Sequence, residues 1–273
     1  MRTWPGGTEV PPGSDFDGDA MGESNVNNED QASKAAAFYD EYHQASDEMP
    51  ADHPIRLKTK KIHLGWLKNL KPESGSRLLD LSCGLGHFLS AAREYEPGLE
   101  LHGLDHSAYA VRKAMNLVPG ARIVQGDAMA TPYPDKHFDR VTCLGSLEHY
   151  PDPVAGLKEI RRILKDDGKA LVYVPNLFFL GYVYFVWRTG EEPHEAGQNE
   201  YEHFHTLQGW RDLIAKNGLR ELSVAKHNEM FATERFGGAV KGLYHYGLEP
   251  FVPLTLSYCF AFILGKDGTG TSR

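Results

Sequence analysis

From residue 77 to residue 174 the chain alternates short aliphatic runs with stretches of helical periodicity, and this alternation narrows the accessible folds sharply. Strand-like runs fall at 77–81, 99–104, 121–124, 138–144 and 169–174. Helical patterns lie between them at 87–94, 108–117 and 153–164, while a loop with Pro132 and Pro134 joins the third and fourth runs. Asp166-Asp167-Gly168 predicts a turn before the fifth run. Further on, the sequence predicts a helix over 207–217, a strand over 219–225 and a last strand near 256–264. Strands that alternate with helices make an α/β protein, a doubly wound sheet with helices on both faces.

The flanks read differently. Residues 1–32 are rich in Gly, Pro, Asn, Asp and Glu, so a flexible tail is expected there. Residues 33–72 predict two helices that form an N-terminal lid, and residues 73–273 the main domain. Two insertions interrupt that domain at about 177–206 and 229–253. The first begins with the aromatic run that contains Phe178 and Tyr182, read either as core packing, as a contact between copies, or as a wall for a hydrophobic ligand.

Composition removes several classes. With 29 Lys and Arg against 37 Asp and Glu, the net charge of −8 disfavours a nucleic-acid partner. Three dispersed cysteines, Cys83, Cys143 and Cys259, suggest no disulfide framework, and a cytoplasmic location is expected. The apolar stretches are too short for an integral membrane segment.

Ligands of doubly wound sheets bind beyond the carboxyl ends of the strands, and here those ends carry the informative residues. The first strand runs into Asp80-Leu81-Ser82-Cys83-Gly84-Leu85-Gly86, where Gly84 and Gly86 let the main chain approach a ligand. The second ends in Gly103-Leu104-Asp105, where a carboxylate can accept hydrogen bonds from ribose hydroxyls, and the third is followed by Asp127-Ala128. Plain turns or helix caps would account for single members of this set. A nicotinamide or flavin dinucleotide site fits poorly, because Leu89 stands where its fingerprint needs a third glycine and Asp80 would repel a pyrophosphate.

The ordered set Leu78 to Gly86, Gly103-Leu104-Asp105-His106-Ser107, Gln125-Gly126-Asp127-Ala128, Phe138-Asp139 and Ser146-Leu147-Glu148-His149 resembles the class I S-adenosylmethionine-dependent methyltransferases. The likeness is strongest to the small-molecule branch that includes ubiquinone-biosynthesis enzymes, over about residues 60–225. It implies a Rossmann-like sheet of seven strands, mostly parallel with an antiparallel last strand, and S-adenosylmethionine as cofactor. By that resemblance the cofactor would meet Asp80, Ser82, Cys83, Gly84 and Gly86 with its methionine part. Asp105 would bind its ribose hydroxyls, Asp127 with Ala128 would contact its adenine, and His106 is a further expected cofactor contact. The expected partner is a small, partly hydrophobic acceptor, a secondary metabolite or cofactor precursor methylated on oxygen or nitrogen. Alternatives are a lipid or quinone precursor at a membrane surface, and a non-catalytic cofactor-binding scaffold; an oligomer is left open.

Methyl transfer is an in-line displacement, so alignment and exclusion of water supply much of the catalysis. His149 after the fourth strand is the leading candidate base, with His203 and His205 as weaker ones, although each also reads as a loop or capping residue. Tyr39, Glu148, His149, Phe178 and Tyr182 are expected along the acceptor. His194, Glu200 and Glu202 beside the later histidines raise a metal site, but a surface loop or pocket wall fits that stretch better, and no metal is expected.

Overall fold

The computed structural model describes residues 28–48, 50, 53–190, 203–227 and 251–268. Its strands are β1 Arg77–Leu81, β2 Glu100–Asp105, β3 Arg122–Gln125, β4 Phe138–Leu144, β5 Leu164–Pro175, β6 Leu219–His227 and β7 Cys259–Lys266. They form one seven-stranded sheet in the order β3-β2-β1-β4-β5-β7-β6. The pairs among β1 to β5 are parallel, whereas β7 runs antiparallel to both β5 and β6, which fulfils the reversed last strand. Strand order turns around between β1 and β4, so the crevice of such a sheet opens above those two strands.

The helices are α1 Asn28–Asp47, α2 Pro54–Leu70, α3 His87–Tyr95, α4 Ala108–Leu117, α5 Pro153–Ile163, α6 Leu180–Thr189 and α7 Leu207–Lys216. Helix α4 starts where the Ser107 side chain accepts from the Ala110 amide; α5 starts at Asp152, which accepts from Val154 and Ala155 just before Pro153. One core gathers Leu157, Ile160, Trp210 and Ile214 from α5 and α7 with residues of the central strands. The other gathers Leu67, Phe88, Leu89 and Ala114 from α2, α3 and α4 on the opposite face. Both faces of the central strands are thus buried, which explains their nearly unbroken apolar runs.

Three expectations shift. Helix α1 begins at Asn28, so residues 28–32 belong to a helix instead of the tail; the rest of the expected tail, most of 191–206 and 229–250 lie outside the described residues. The expected turn at 166–168 lies inside β5 as an irregularity, because pairing passes from Phe138 with Leu164 to Arg140 with Lys169. There Lys165 Nζ reaches Asp139 Oδ1 at 2.6 Å and holds the extra residues against β4. At the far end β7 starts at Cys259, since Leu254–Leu256 forms a 3-10 turn instead of strand. The buried Asn176 fixes that turn by donating to the Thr255 and Ser257 carbonyls at 3.0 and 2.7 Å.

Candidate active site

The chain leaves β1 in a sequence of left-handed residues: Ser82 at φ 57°, Gly84 at 51° and Gly86 at 83°. The two glycines hold this region freely, while Ser82 holds it against the preference of a residue with a Cβ. A Cβ on Gly86 would lie 3.0 Å from Ala114 Cβ and 3.1 Å from its Cα, so this glycine also lets α4 pass close to the turn. Cys83 turns inward. Its sulfur packs where a Cβ on Gly103 would lie 2.9 Å away, so its thiol belongs to the core and only its main chain can line the turn.

Asp105 closes the turn from β2. One carboxylate oxygen accepts from the Gly84 amide at 2.7 Å and the other from the Ser107 amide at 2.9 Å. Asp105 is therefore not the cap of α4, a place taken by Ser107. Asp127 accepts from the Met129 amide at 2.7 Å, beside the buried Ala128, and the His106 carbonyl accepts from Gln125 Nε2 at 3.0 Å, tying the ends of β2 and β3 together.

Asp80 lies beneath the turn, 3% exposed. Burial, opposed by the Thr142 hydroxyl that donates to it at 2.6 Å and reinforced by the nearby Asp105, pushes its carboxyl up to about 7. Two carboxylates within one glycine turn suit a ligand with a cation and vicinal hydroxyls, and disfavour a pyrophosphate.

Helix α1 covers this region and brings a residue that the sequence did not single out. Asp40 accepts from the Ser107 hydroxyl and, at 3.2 Å, from the Tyr109 amide. Asp47 receives Tyr109 Oη at 3.0 Å and Lys113 Nζ at 2.7 Å, and Arg56 of α2 donates to the Ser46 and Asp47 carbonyls at 3.1 Å. These bonds set His43 over the turn, where a Cβ on Gly84 would come within 3.1 Å of its ring. Burial lowers the His43 imidazole, against the pull of Asp105 and Asp40. Tyr39 lies one turn earlier on the same helix, with its ring 6.4 Å from that of His43.

The other half of the site follows β4 and β5. Glu148 and His149 form a 3-10 turn after β4 with Glu148 buried, and His149 Nε2 is 3.9 Å from Glu148 Oε1. The His203 amide donates to the Glu148 carbonyl at 2.8 Å, which brings the two expected histidine segments together. His205 pairs with Asn176 as an isolated bridge and meets the Trp210 ring at 4.7 Å; burial, then His203, lowers its imidazole. Tyr182 joins an aromatic group with Phe179, Phe204 and Tyr258 at ring distances of 5.2 to 6.1 Å. Phe178 does not: it is 54% exposed, because its amide bonds back to Asn176 Oδ1 and the buried place goes to Phe179. His194, Glu200 and Glu202 lie outside the described residues.

A glycine turn bonded to Asp105, with Asp80 beneath it, at the switch point of a parallel sheet marks the candidate ligand site of a Rossmann-like fold. Residues 79–172 match a family model described as a methyltransferase domain. YcgJ of Bacillus subtilis, an uncharacterized methyltransferase, is 32% identical over 190 residues, 66% of this chain and 71% of its own length. The chain belongs to the class I S-adenosylmethionine-dependent methyltransferases. A demethylmenaquinone methyltransferase of Lactobacillus johnsonii is 39% identical over 116 residues, 38% of this chain and 48% of the relative. The chain thus spans about half the length of the demethylmenaquinone methyltransferases it matches. The crystal structure of the [4+2]-cyclase SpnF shares the fold at a TM-score of 0.60 and 17% identity, covering 86% of this chain and 96% of that one.

Proposed function

We propose that this chain transfers a methyl group from S-adenosylmethionine to an oxygen or nitrogen of a small, partly hydrophobic acceptor. The observation that carries the reading is the pair of acids at the glycine turn, Asp80 beneath it and Asp105 bonded to Gly84. The cofactor would supply an electrophilic methyl carried on a sulfonium. In this reading Asp80 balances the ligand's positive charge, Asp105 accepts from its ribose, and Asp127 with Ala128 borders its adenine. Ser82, Cys83, Gly84 and Gly86 contribute main chain or hydroxyl to the turn, with His106 at its edge. His43, Tyr39 and the rest of α1 exclude water from above.

On the acceptor side, the aromatic group around Tyr182 supports an apolar body, and His149 is the candidate base for a hydroxyl or ammonium proton. His203 and His205 frame that side; with its imidazole lowered, His205 is available as a neutral acceptor. A quinone or lipid precursor taken from a membrane surface is a second reading. It is favoured by relatives named for demethylmenaquinone and for 2-methyl-6-phytyl-1,4-hydroquinone, and by the exposed apolar side of α6 at Val183, Tyr184, Val186 and Trp187.

Calorimetric titration with S-adenosylmethionine, S-adenosylhomocysteine and a nicotinamide dinucleotide tests the proposal. Micromolar binding of the first two alone is expected. Binding of the dinucleotide alone overturns it, and binding of none leaves a scaffold that keeps the fold without the chemistry.

A further inference from the structure

Tyr150, the residue after His149, touches both halves of the site. Its ring is buried against α5, where a Cβ on Gly156 would lie 2.7 Å from it. Its hydroxyl lies 2.9 Å from Ser82 Oγ on the cofactor turn and 3.5 Å from Cys143 Sγ near the end of β4. Ser82 is the residue of that turn that holds a left-handed φ of 57° despite its Cβ. A glycine would adopt this conformation freely but could offer Tyr150 no hydroxyl.

We infer that Tyr150 is a positioning residue, whose hydroxyl latches Ser82 in the left-handed conformation, aims the glycine turn at the cofactor and ties it to the loop bearing Glu148 and His149. This rests on the cofactor reading above and adds a coupling between the cofactor half and the acceptor half. With Gly156 leaving room for the ring and Ser82 fixing its tip, Tyr150 has little freedom, so displacement of the acceptor loop is transmitted to the turn.

The test uses the full chain as wild type, Tyr150→Phe, Ser82→Gly and the double variant. Phenylalanine keeps the ring packed on Gly156 and removes only the hydroxyl. Affinity for S-adenosylhomocysteine, read by calorimetry, should fall about tenfold in Tyr150→Phe, as expected for one lost buried hydrogen bond. Added to Ser82→Gly, which needs no latch, the same substitution should cost less than about twofold, whatever Ser82→Gly costs by itself. A Tyr150→Phe variant that binds as wild type does, or a tenfold loss that persists in the Ser82→Gly background, overturns the inference. A purely structural tyrosine would lower thermal stability without moving affinity in either background. If wild type binds neither S-adenosylmethionine nor its product, the cofactor reading fails instead. Thermal unfolding of the same four proteins then judges the latch, and strictly additive shifts across the cycle refute it.

Discussion

Glu159 on α5 and Asp80 on β1 are carboxylates sunk to similar depth, 7% and 3% exposed, in regions that surround them very differently. Glu159 accepts from the Thr131 amide and hydroxyl at 2.8 and 2.6 Å and from Arg162 Nε and Nη2 at 2.8 and 2.7 Å. Arg162 also reaches Asp135 and the Tyr133 carbonyl, so the loop between β3 and β4 is fastened to α5. Asp80 has the Thr142 hydroxyl, a second acid at Asp105, and no ion-pair partner among the described residues. Where the molecule only has to stand, its buried charge is balanced from within. At Asp80 it is not, and in the proposed function the balance comes from the ligand.

Removing Glu159 should have the largest effect. Glu159→Ala leaves Arg162 without its main partner and should lower unfolding stability by about 3 kcal/mol, near the low end for a broken buried pair, since Arg162 keeps 34% exposure. Equilibrium unfolding in urea checks this, and a loss below about 1 kcal/mol would make the two regions alike. Asp80→Asn should do the reverse: no loss of stability without ligand at pH 8, but a cofactor affinity lower by about a hundredfold, the loss of a charge-assisted contact of roughly 2–3 kcal/mol. Affinity close to wild type would remove Asp80 from the binding machinery.

The smallest effect is a proton count. For Glu159, burial raises the carboxyl but Arg162 and Thr131 outweigh it and lower it, so its contribution is present above the usual carboxylate value and is lost as pH falls below it. Asp80, raised to about 7 by burial, has the opposite sign: its share of stability is greatest in acid and declines as pH rises from about 4 to about 7. A cationic ligand should pull that carboxyl down again. Cofactor binding near pH 6 should therefore release about one proton, and at pH 8.5 none. Calorimetry in buffers of different ionisation enthalpy reads the number, and a pH-independent zero would contradict the raised carboxyl.

Much of the frame was legible because its determinants are local. The helical periodicity over 108–117 becomes α4 at Ala108–Leu117, and the apolar run of β4 stands at Phe138–Leu144 as expected. The candidate site was legible as a place where acids and glycines that follow strands come together, since a parallel sheet aligns those ends whatever their separation in sequence. The approach of His43 to Gly84 and of Tyr150 to Ser82 was not legible. The periodicity of α1 gives it a face but not the partner for that face, which is chosen by Asp40 and Asp47 finding Ser107, Tyr109 and Lys113 far along the chain. Tyr150 reads as one more apolar residue until its hydroxyl is seen beside Ser82. Phe178 and Phe179 are indistinguishable as neighbours in an aromatic run; Asn176, by bonding to the Phe178 amide, decides which of them is buried.

The place of β7 between β5 and β6 bears on how this chain is made. Among the described residues β6 pairs only with β7, and β7 pairs with β5 through contacts as distant in sequence as Ala170 with Leu264. During synthesis β5 is therefore an open edge, and β6 a strand in waiting, until residues 259–266 clear the ribosome. Late closure of this kind is slow, because a long loop must be restrained before any pairing rewards it. A chain stalled or cut before Cys259 would present the apolar edge of β5 to its neighbours, and would be a target for chaperones rather than a smaller working protein.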